Sequence, residues 1–342
     1  MKRGVNLYKM EHIAILGLGP IGASLGLALK SANLKNTQIV GCSPNRNVAS
    51  QNKKLNFFDS FETNIAKAVT GAQLVVLDAP ISDMKDLITT VSDHLDEGAV
   101  VTDTGSAKTR CAAWAAEFLP AHANYIGGKP IIQRNLQDLE SSSQDVFQGI
   151  HYCVIPSTSS DPESAKIVVG MIETIGSKPY FLDPQELDSF SSAVDVLPLI
   201  MSTAYMNTLS ESVSWKEMHK SAGYLFDRQS ILASEDPLDS ESTTLTISDP
   251  IIHWIDQFIL SLSKMRNDIL SNNDDLLDDF IRAWEERGRW EIGAVGKEKS
   301  DIDIPSSGET MAAAFLGDRL AQRLTKLTDE KSRESWRYPG TR

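Results

Sequence analysis

Short apolar runs alternate with longer amphipathic segments from His12 to about Leu182. The runs are rich in β-branched residues and are bounded by Gly, Pro or Asp, which is typical of buried parallel strands. The predicted strands are His12–Leu16, Gln38–Cys42, Leu74–Leu77, Ala99–Thr102 and Tyr152–Ile155, and the predicted helices include Ile21–Lys30, Thr63–Val69 and one that begins at Asp161-Pro162-Glu163. This alternation predicts an α/β fold with a doubly wound parallel sheet.

The pattern becomes helical after Asp183-Pro184. Apolar residues follow one helical face after the capped start at Asp249-Pro250, and a second apolar stripe follows it. The two stripes are Ile251, Ile255, Phe258, Ile259, Leu262, Met265 and Ile269, and then Leu276, Leu277, Phe280, Ile281 and Trp284. We predict an α/β domain over residues 1–182 and an all-helical domain over residues 183–342. Helical domains of this size often bury their apolar faces in a dimer.

Three segments of the second half have their own composition. Leu225–Thr246 is rich in Ser, Asp and Pro and is predicted as a loop or an irregular crossover. Lys297–Gly308 is polar and is predicted as a linker. A final helix is predicted over Glu309–Leu327.

The composition disfavours several classes of partner and of site. The 342 residues are 41% hydrophobic, and 33 basic against 46 acidic side chains give a net charge of −13. An acidic chain of this kind disfavours nucleic acid and anionic membranes as partners. Cys42, Cys111 and Cys153 are too few and too scattered for a disulfide framework or a zinc cluster, so no metal is expected. With neither a signal peptide nor a membrane segment in the sequence, we expect a cytoplasmic protein.

The first turn of the chain carries a candidate phosphate-binding site. Gly17-Leu18-Gly19-Pro20-Ile21-Gly22 follows the first predicted strand and opens the first predicted helix. Two glycines let the backbone approach a pyrophosphate at the helix N-terminus, and the third lets helix and strand pack closely. The alternative is a glycine turn that holds no ligand. The strand–turn–helix context favours a Rossmann-type dinucleotide site at Gly17, Gly19, Pro20, Ile21 and Gly22.

The end of the second predicted strand bears on which dinucleotide is bound. An NAD site usually has an acidic residue there for the ribose hydroxyl. This chain has Ser43, Asn45 and Arg46 instead, with no carboxylate. A hydroxyl and a guanidinium suit a 2′-phosphate, which favours NADP over NAD. The alternative is that Arg46 is an ordinary solvated side chain.

Further candidate residues follow the next strands, at the sheet edge where a nicotinamide ring would lie. Ala79 and Pro80 end one strand, and Ser106 and Lys108 follow the next and are expected to face the substrate. The segment Tyr125–Pro130 is then predicted as a strand ending in two glycines that leave space for a ring, followed by Lys129.

These motifs resemble those of the prephenate/arogenate dehydrogenase family. The resemblance runs from about residue 10 to 290, strongly in the first half and thinly in the second. It is carried by the glycine turn, Pro80-Ile81-Ser82, Thr102-Asp103-Thr104-Gly105-Ser106-Ala107-Lys108, Gly127-Gly128-Lys129-Pro130, and Ser248-Asp249-Pro250 with Trp254. It implies oxidative decarboxylation of prephenate or arogenate in tyrosine biosynthesis, with NAD or NADP, by a homodimer joined through a helical domain.

The chain departs from the family at the polar residues of the site. The family's catalytic histidine corresponds to Lys129, and its Ser-His-Leu-Pro-His segment corresponds to Asp195-Val196-Leu197-Pro198-Leu199. The arginine that holds the ring carboxylate corresponds to Thr244. Ser106 and Lys108 match the family, so Ser106 and Lys129 are the candidate catalytic residues and Lys108 and Asp195 the candidate substrate-binding residues.

Lys129 has two interpretations. Lysine ordinarily titrates near ~10.4, but burial and a second ammonium lower that value, and Lys108 is a candidate for the second charge. Lys129 is then the base in oxidation or the acid in reduction, with Ser106 holding the substrate oxygen. Equally, Lys129 is a charged anchor for a carboxylate or a phosphate. Asp195 either favours an amine or cationic substrate or faces solvent.

Three functions therefore remain open from the sequence. The first is a prephenate- or arogenate-type dehydrogenase with a lysine base. The second is a related NADP-dependent oxidoreductase whose substrate has changed to an amine, an imine or a hydroxy acid, which the loss of histidines and arginine favours on chemical grounds. The third is a non-catalytic dinucleotide-binding protein. Because the resemblance spans the chain, we expect the first.

Overall fold

The computed structural model describes residues 10–296, except residues 135, 137, 158, 159 and 274. The chain divides into two compact units, Met1–Ile259 and Leu260–Arg342. The predicted linker Lys297–Gly308 and helix Glu309–Leu327 lie outside the described residues. A dinucleotide-binding domain of residues 1–182 followed by a helical substrate domain stays a prediction.

A six-stranded parallel sheet is the centre of the first unit. Its strand order is β3-β2-β1-β4-β5-β6, with the chain reversing its direction of travel across the sheet after β3. The predicted strands are confirmed, although β5 begins one residue later than the pattern indicated. The strands are β1 His12–Leu16, β2 Gln38–Cys42, β3 Ser60–Glu62, β4 Leu74–Leu77, β5 Val100–Asp103 and β6 Asn124–Tyr125.

Helices cover both faces of this sheet, because its strands are apolar on both sides. Along β1, Ile13 and Ile15 join one buried cluster and Ala14 and Leu16 join the other. Such two-sided burial is expected of a parallel sheet. The doubly wound α/β fold is therefore confirmed. The helices of this part are α1 Pro20–Ser31, α2 Arg46–Leu55, α3 Ile65–Val69, α4 Ile81–Ser92, α5 Lys108–Phe118 and α6 Pro162–Thr174.

A second, three-stranded sheet follows, with the order β7 Gly127–Pro130, β8 His151–Ile155 and β9 Lys178–Phe181. Strand β7 is antiparallel to β8, and β8 is parallel to β9. The prediction of one strand over Tyr125–Pro130 was wrong in this respect. The chain leaves the first sheet at Ile126, whose amide still bonds to Val101 O at 3.0 Å, and the glycine pair begins a new sheet.

The described chain after Asp183 is helical, as the pattern predicted. A π-helical turn, Ser192–Val196, joins the first two of its helices. No helix in the described ranges is long and apolar enough to cross a membrane. The helices are α7 Pro184–Ser191, α8 Leu197–Ser210, α9 Trp215–Met218, α10 Tyr224–Ser230, α11 Pro237–Thr246, α12 Ser248–Ser271 and α13 Asp275–Glu291.

The prediction of a loop or an irregular crossover over Leu225–Thr246 was wrong. The segment forms most of α10, a 3-10 turn and α11. Asp236 caps α11 by accepting bonds from the amides of Leu238 and Asp239, at 2.9 and 3.0 Å. A proline follows this cap at the first helical position, where its missing N–H costs nothing. The Ser, Asp and Pro residues that suggested a loop are therefore start signals of a helix.

Candidate active site

The glycine turn lies between β1 and α1 and has the geometry of a phosphate-binding turn. Gly17 has φ +100°, and a Cβ there would lie 1.7 Å from the carbonyl oxygen of Asp78. A Cβ on Gly22 would lie 2.3 Å from the Gly17 carbonyl, so helix and turn are in close contact. A Cβ on Gly19, the N-cap residue of α1, would meet nothing closer than 3.7 Å, and Gly19 itself has no side chain to cap the helix. Backbone at Gly19 and the helix N-terminus, with Pro20 and Ile21, therefore fit a pyrophosphate.

Asp78, at the end of β4, contacts this turn and was missed by the sequence analysis. Its Oδ2 accepts a hydrogen bond from the Gly22 amide at 2.8 Å, and its Oδ1 accepts one from the Thr104 hydroxyl at 2.5 Å. Burial, and secondarily the charge of Asp103, raises the pKa of this carboxyl, while the two hydrogen bonds act in the opposite direction. A carboxyl group thus joins α1, the end of β4 and the loop after β5 at the sheet edge where the glycine turn lies.

The residues after β4 begin the next helix. Ala79 is half-buried and Pro80 is exposed, and Pro80 is the N-cap residue of α4. The amide of Ile81 donates a hydrogen bond to Oδ1 of Asp239, on α11, at 3.2 Å. A carboxylate therefore satisfies the N-terminus of α4, as another does at α1.

The residues after β2 form the start of α2. Oδ1 of Asn45 accepts the amide of Asn47 at 3.0 Å, which makes Asn45 a capping residue. The buried Ser43 accepts the Asn45 amide at 3.3 Å, and Arg46 is exposed in the first turn of the helix. Although β2 itself lacks a carboxylate, Glu62 at the end of β3 is in register with the last residue of β2.

Lys108 is fully buried, and its ammonium forms an ion pair with the buried carboxylate of Asp103. Asp103 also accepts hydrogen bonds from the Tyr125 hydroxyl at 2.8 Å and from the Gly105 and Gly128 amides at 3.1 and 3.3 Å. Lys108 was predicted from the sequence to face the substrate. In the structure its ammonium is instead buried and paired with Asp103. Lys108 instead supports the loop and strand on which other candidate residues lie.

Lys129 lies on β7 and is nearly buried. Its Nζ donates to Oγ of Ser191, at the end of α7, at 2.7 Å, and forms an ion pair with Oδ2 of Asp195 at 2.5 Å. Asp195 belongs to the π-helical turn, and its side chain is 48% exposed. Single π turns recur at functional sites. The structure thus brings together two residues predicted from sequence, Lys129 and Asp195, and adds Ser191.

Ser106 lies on the loop between β5 and α5 and is half-buried. The loop is held from the other side by the buried Asp188 of α7, which accepts the amides of Lys108 and Thr109 at 2.6 and 3.0 Å. Through this cap, α7 is fixed against α5, which positions the Lys129 cluster relative to the loop that carries Ser106.

The glycine pair of β7 leaves no space for a ring, contrary to the sequence prediction. A Cβ on Gly128 would lie 2.7 Å from the Asp103 carbonyl, 2.9 Å from Oγ1 of Thr102 and 3.1 Å from the Tyr152 ring. The protein itself fills this volume. The glycines are required because β7 crosses in contact with the end of β5.

Four residues of this region were missed by the sequence analysis, and only some of them had a signal in the sequence. Asp78 and Asp103 follow or end predicted strands, and that position alone was a usable signal. Ser191 and Asp239 reach the site from helices whose placement no local pattern specifies.

The chain is similar in sequence to known dehydrogenases. Residues 25–181 match the family model for the nucleotide-binding domain of prephenate dehydrogenase. Cyclohexadienyl dehydrogenase of Zymomonas mobilis is 25% identical over 281 residues, which cover 81% of this chain and 95% of that protein. Prephenate dehydrogenase of Bacillus subtilis is 23% identical over 261 residues, covering 75% and 69%.

A solved structure has the same fold. The crystal structure of prephenate dehydrogenase from A. aeolicus, in complex with hydroxyphenyl propionate and NAD+, gives a TM-score of 0.75 at 23% identity, covering 82% of this chain and 98% of that one. The fold, the glycine turn and the matched nucleotide-binding domain define a dinucleotide-dependent oxidoreductase. Over residues 25–181 the chain is similar to the nucleotide-binding domain of prephenate dehydrogenases, and the curated relatives are dehydrogenases of this kind.

Proposed function

We propose that this protein catalyses the NAD(P)-dependent oxidative decarboxylation of a cyclohexadienol, prephenate or arogenate, in tyrosine biosynthesis. The observation that carries the proposal is the nearly buried Lys129, hydrogen-bonded to Ser191 and paired with Asp195. An ammonium has three donors, and these two acceptors use two of them. In the neutral amine the two N–H groups keep these acceptors and the remaining position is a lone pair, which is left for a substrate hydroxyl, at the position where the family has a histidine.

The reaction requires removal of one proton and one hydride from the carbinol. The neutral amine of Lys129 accepts the hydroxyl proton, and the carboxylate of Asp195 stabilises the ammonium that forms. Ser106 holds the substrate oxygen during this transfer. A bound nicotinamide ring supplies the hydride acceptor. The ring carboxylate of the substrate leaves as CO2, and its bonding electrons complete the aromatic ring. The ammonium of Lys129 then returns the proton to the oxygen, which gives the phenol.

The activity is tested by following reduced-cofactor absorbance with each of the two substrates and each of the two cofactors. Turnover of prephenate or arogenate supports the proposal. Tight cofactor binding with no turnover of either contradicts it and favours a changed substrate or a binding protein.

A narrower candidate function is a dehydrogenase that prefers arogenate to prephenate. Asp195 is half-exposed and has a second carboxylate oxygen beyond the one that pairs with Lys129. A carboxylate there favours a substrate amine, which arogenate carries and prephenate does not. Because Asp195 also pairs with Lys129, Asp195→Asn is expected to lower kcat/KM for both substrates. A larger loss for arogenate than for prephenate supports this candidate, whereas equal losses for the two contradict it.

We infer a preference for NADP from Arg46, which is exposed in the first turn of α2 beyond the buried Ser43. A guanidinium binds a 2′-phosphate through charge-assisted hydrogen bonds. Arg46→Ala is therefore expected to raise the Kd for NADP+ by about tenfold or more and to leave that for NAD+ nearly unchanged. Calorimetric titration of both cofactors measures this. If Glu62 binds the ribose instead, NAD+ binds at least as tightly and the substitution changes neither affinity.

We also propose a homodimer through the helical region. Large apolar side chains of the second unit are exposed, including Leu262 at 50%, Ile269 at 63% and Phe280 at 56%. Such a surface is unusual for a monomer. The double substitution Leu262→Glu with Ile269→Glu is expected to halve the mass measured by light scattering after size exclusion. A wild-type protein that is monomeric at micromolar concentration contradicts this proposal.

A further inference from the structure

A carboxyl group lies within the turn that would hold the dinucleotide phosphates. Oδ2 of Asp78 accepts the Gly22 amide at 2.8 Å and lies 3.7 Å from the point where a side chain on Gly19 would begin. Asp78 is only partly buried. Its carboxyl is therefore close to any ligand that lies along the backbone at Gly19.

The Asp78 carboxylate and a bound pyrophosphate would both lie at the positive N-terminal end of α1. The N-terminus of a helix carries a partial positive charge that stabilises one nearby anion. The ionised carboxyl of Asp78 already lies there, and it also repels a second anion directly. Helix α1 has no basic residue in its first turn to offset this, since the sequence there is Pro20-Ile21-Gly22-Ala23.

We propose that Asp78 determines the affinity of the cofactor site, and that dinucleotide binding is coupled to uptake of a proton by its carboxyl group. This rests on the proposed function, because it requires a pyrophosphate at the glycine turn. A phosphate brought beside Asp78 disfavours the ionised form, so the carboxyl protonates as the cofactor binds.

The surroundings of Asp78 set the direction of the pH dependence. The titratable groups that face it are Asp103, whose charge is paired with Lys108, and Tyr152 from β8. Its hydrogen-bond partners on α1, on β1 and directly after β5 are neutral. Burial raises the pKa of Asp78 above the ordinary value of about 3.9. Below that pKa the carboxyl is neutral and does not oppose the phosphates, so cofactor affinity falls as the pH rises through it.

The test is calorimetric titration of NADP+ into the full chain from about pH 5 to 8, in buffers that differ in ionisation enthalpy. The wild-type protein is expected to take up protons on binding. Asp78→Asn keeps an oxygen for the Gly22 amide and an NH2 group for Thr104. It is expected to lose that uptake and to bind about tenfold more tightly at the highest pH. The difference between the two proteins cancels the titration of the 2′-phosphate.

Asp239→Asn is the matched control, because burial also raises the pKa of Asp239, which caps α4 in the same sheet region. This variant is expected to keep the proton uptake. Asp78→Ser provides a second neutral variant if the asparagine protein does not fold. Equal proton uptake in wild type and the Asp78 variants, or loss of uptake in Asp239→Asn alone, overturns the proposal. Absence of binding by either cofactor to the wild type instead overturns the proposed function, and this inference with it.

Discussion

Replacing Lys129 by methionine is expected to lower kcat by about a hundredfold to ten-thousandfold, the usual contribution of a positioned acid or base. Methionine keeps the length and apolar stem of lysine but removes the nitrogen that contacts Ser191 and Asp195. Lys129 lies on β7, whereas the glycine turn follows β1 in the other sheet. The Kd for the cofactor is therefore expected to stay within about twofold of the wild-type value. Steady-state kinetics and calorimetric titration measure the two effects separately.

Lys129→Arg distinguishes the two roles of this residue. Arginine keeps the positive charge but does not release a proton at accessible pH. A base is therefore lost in both variants, with kcat low in each. An anchor for a substrate carboxylate is partly retained in Lys129→Arg, and KM then changes more than kcat. Unchanged activity in both variants contradicts any catalytic role and favours the binding-only hypothesis.

The largest expected effect on stability follows from Lys108→Met. This substitution leaves Asp103 as a fully buried carboxylate without its cation, and its hydrogen bonds from Tyr125 and two backbone amides do not replace the lost charge. Breaking a buried pair on one side costs about 3–5 kcal/mol of unfolding free energy. Chemical denaturation monitored by circular dichroism measures the loss.

Two further variants test the cause of that destabilisation. Lys166→Met breaks an exposed pair with Glu163 and is expected to shift the unfolding midpoint far less. The double variant Lys108→Met with Asp103→Asn removes both charges and is expected to be more stable than Lys108→Met alone. If the double variant is instead the less stable of the two, the uncompensated charge is not the reason for the effect.

The α/β fold was predictable because its signals are local. The apolar runs of β1, β2 and β4 and the Asp-Pro starts of α6 and α7 each specify an element within a few residues. The same kind of signal was misinterpreted in α11, where Asp236 and Pro237 start a helix within a segment whose composition resembles a loop. Local chemistry at a helix start was the better guide there than average composition.

The candidate site was predictable only in part, because its contacts are long-range. Lys129 was singled out by its position in a family motif, but its partners are 62 and 66 residues away, on α7 and on the π-helical turn. The sequence pattern around Lys108 likewise did not show that its side chain points into the protein. Burial beside Asp103 decides it, and that burial depends on β7 crossing the end of β5 through Gly128.

We propose above all that this protein performs oxidative decarboxylation with Lys129 as base. The most direct measurement supplies substrate radiolabelled in its ring carboxylate and records released CO2 and reduced cofactor in the same reaction. We expect the two products to appear in equal amounts in the wild type and both to be nearly absent in Lys129→Met. Reduced cofactor without CO2 would contradict decarboxylation, and equal product formation by Lys129→Met would contradict the role of the lysine.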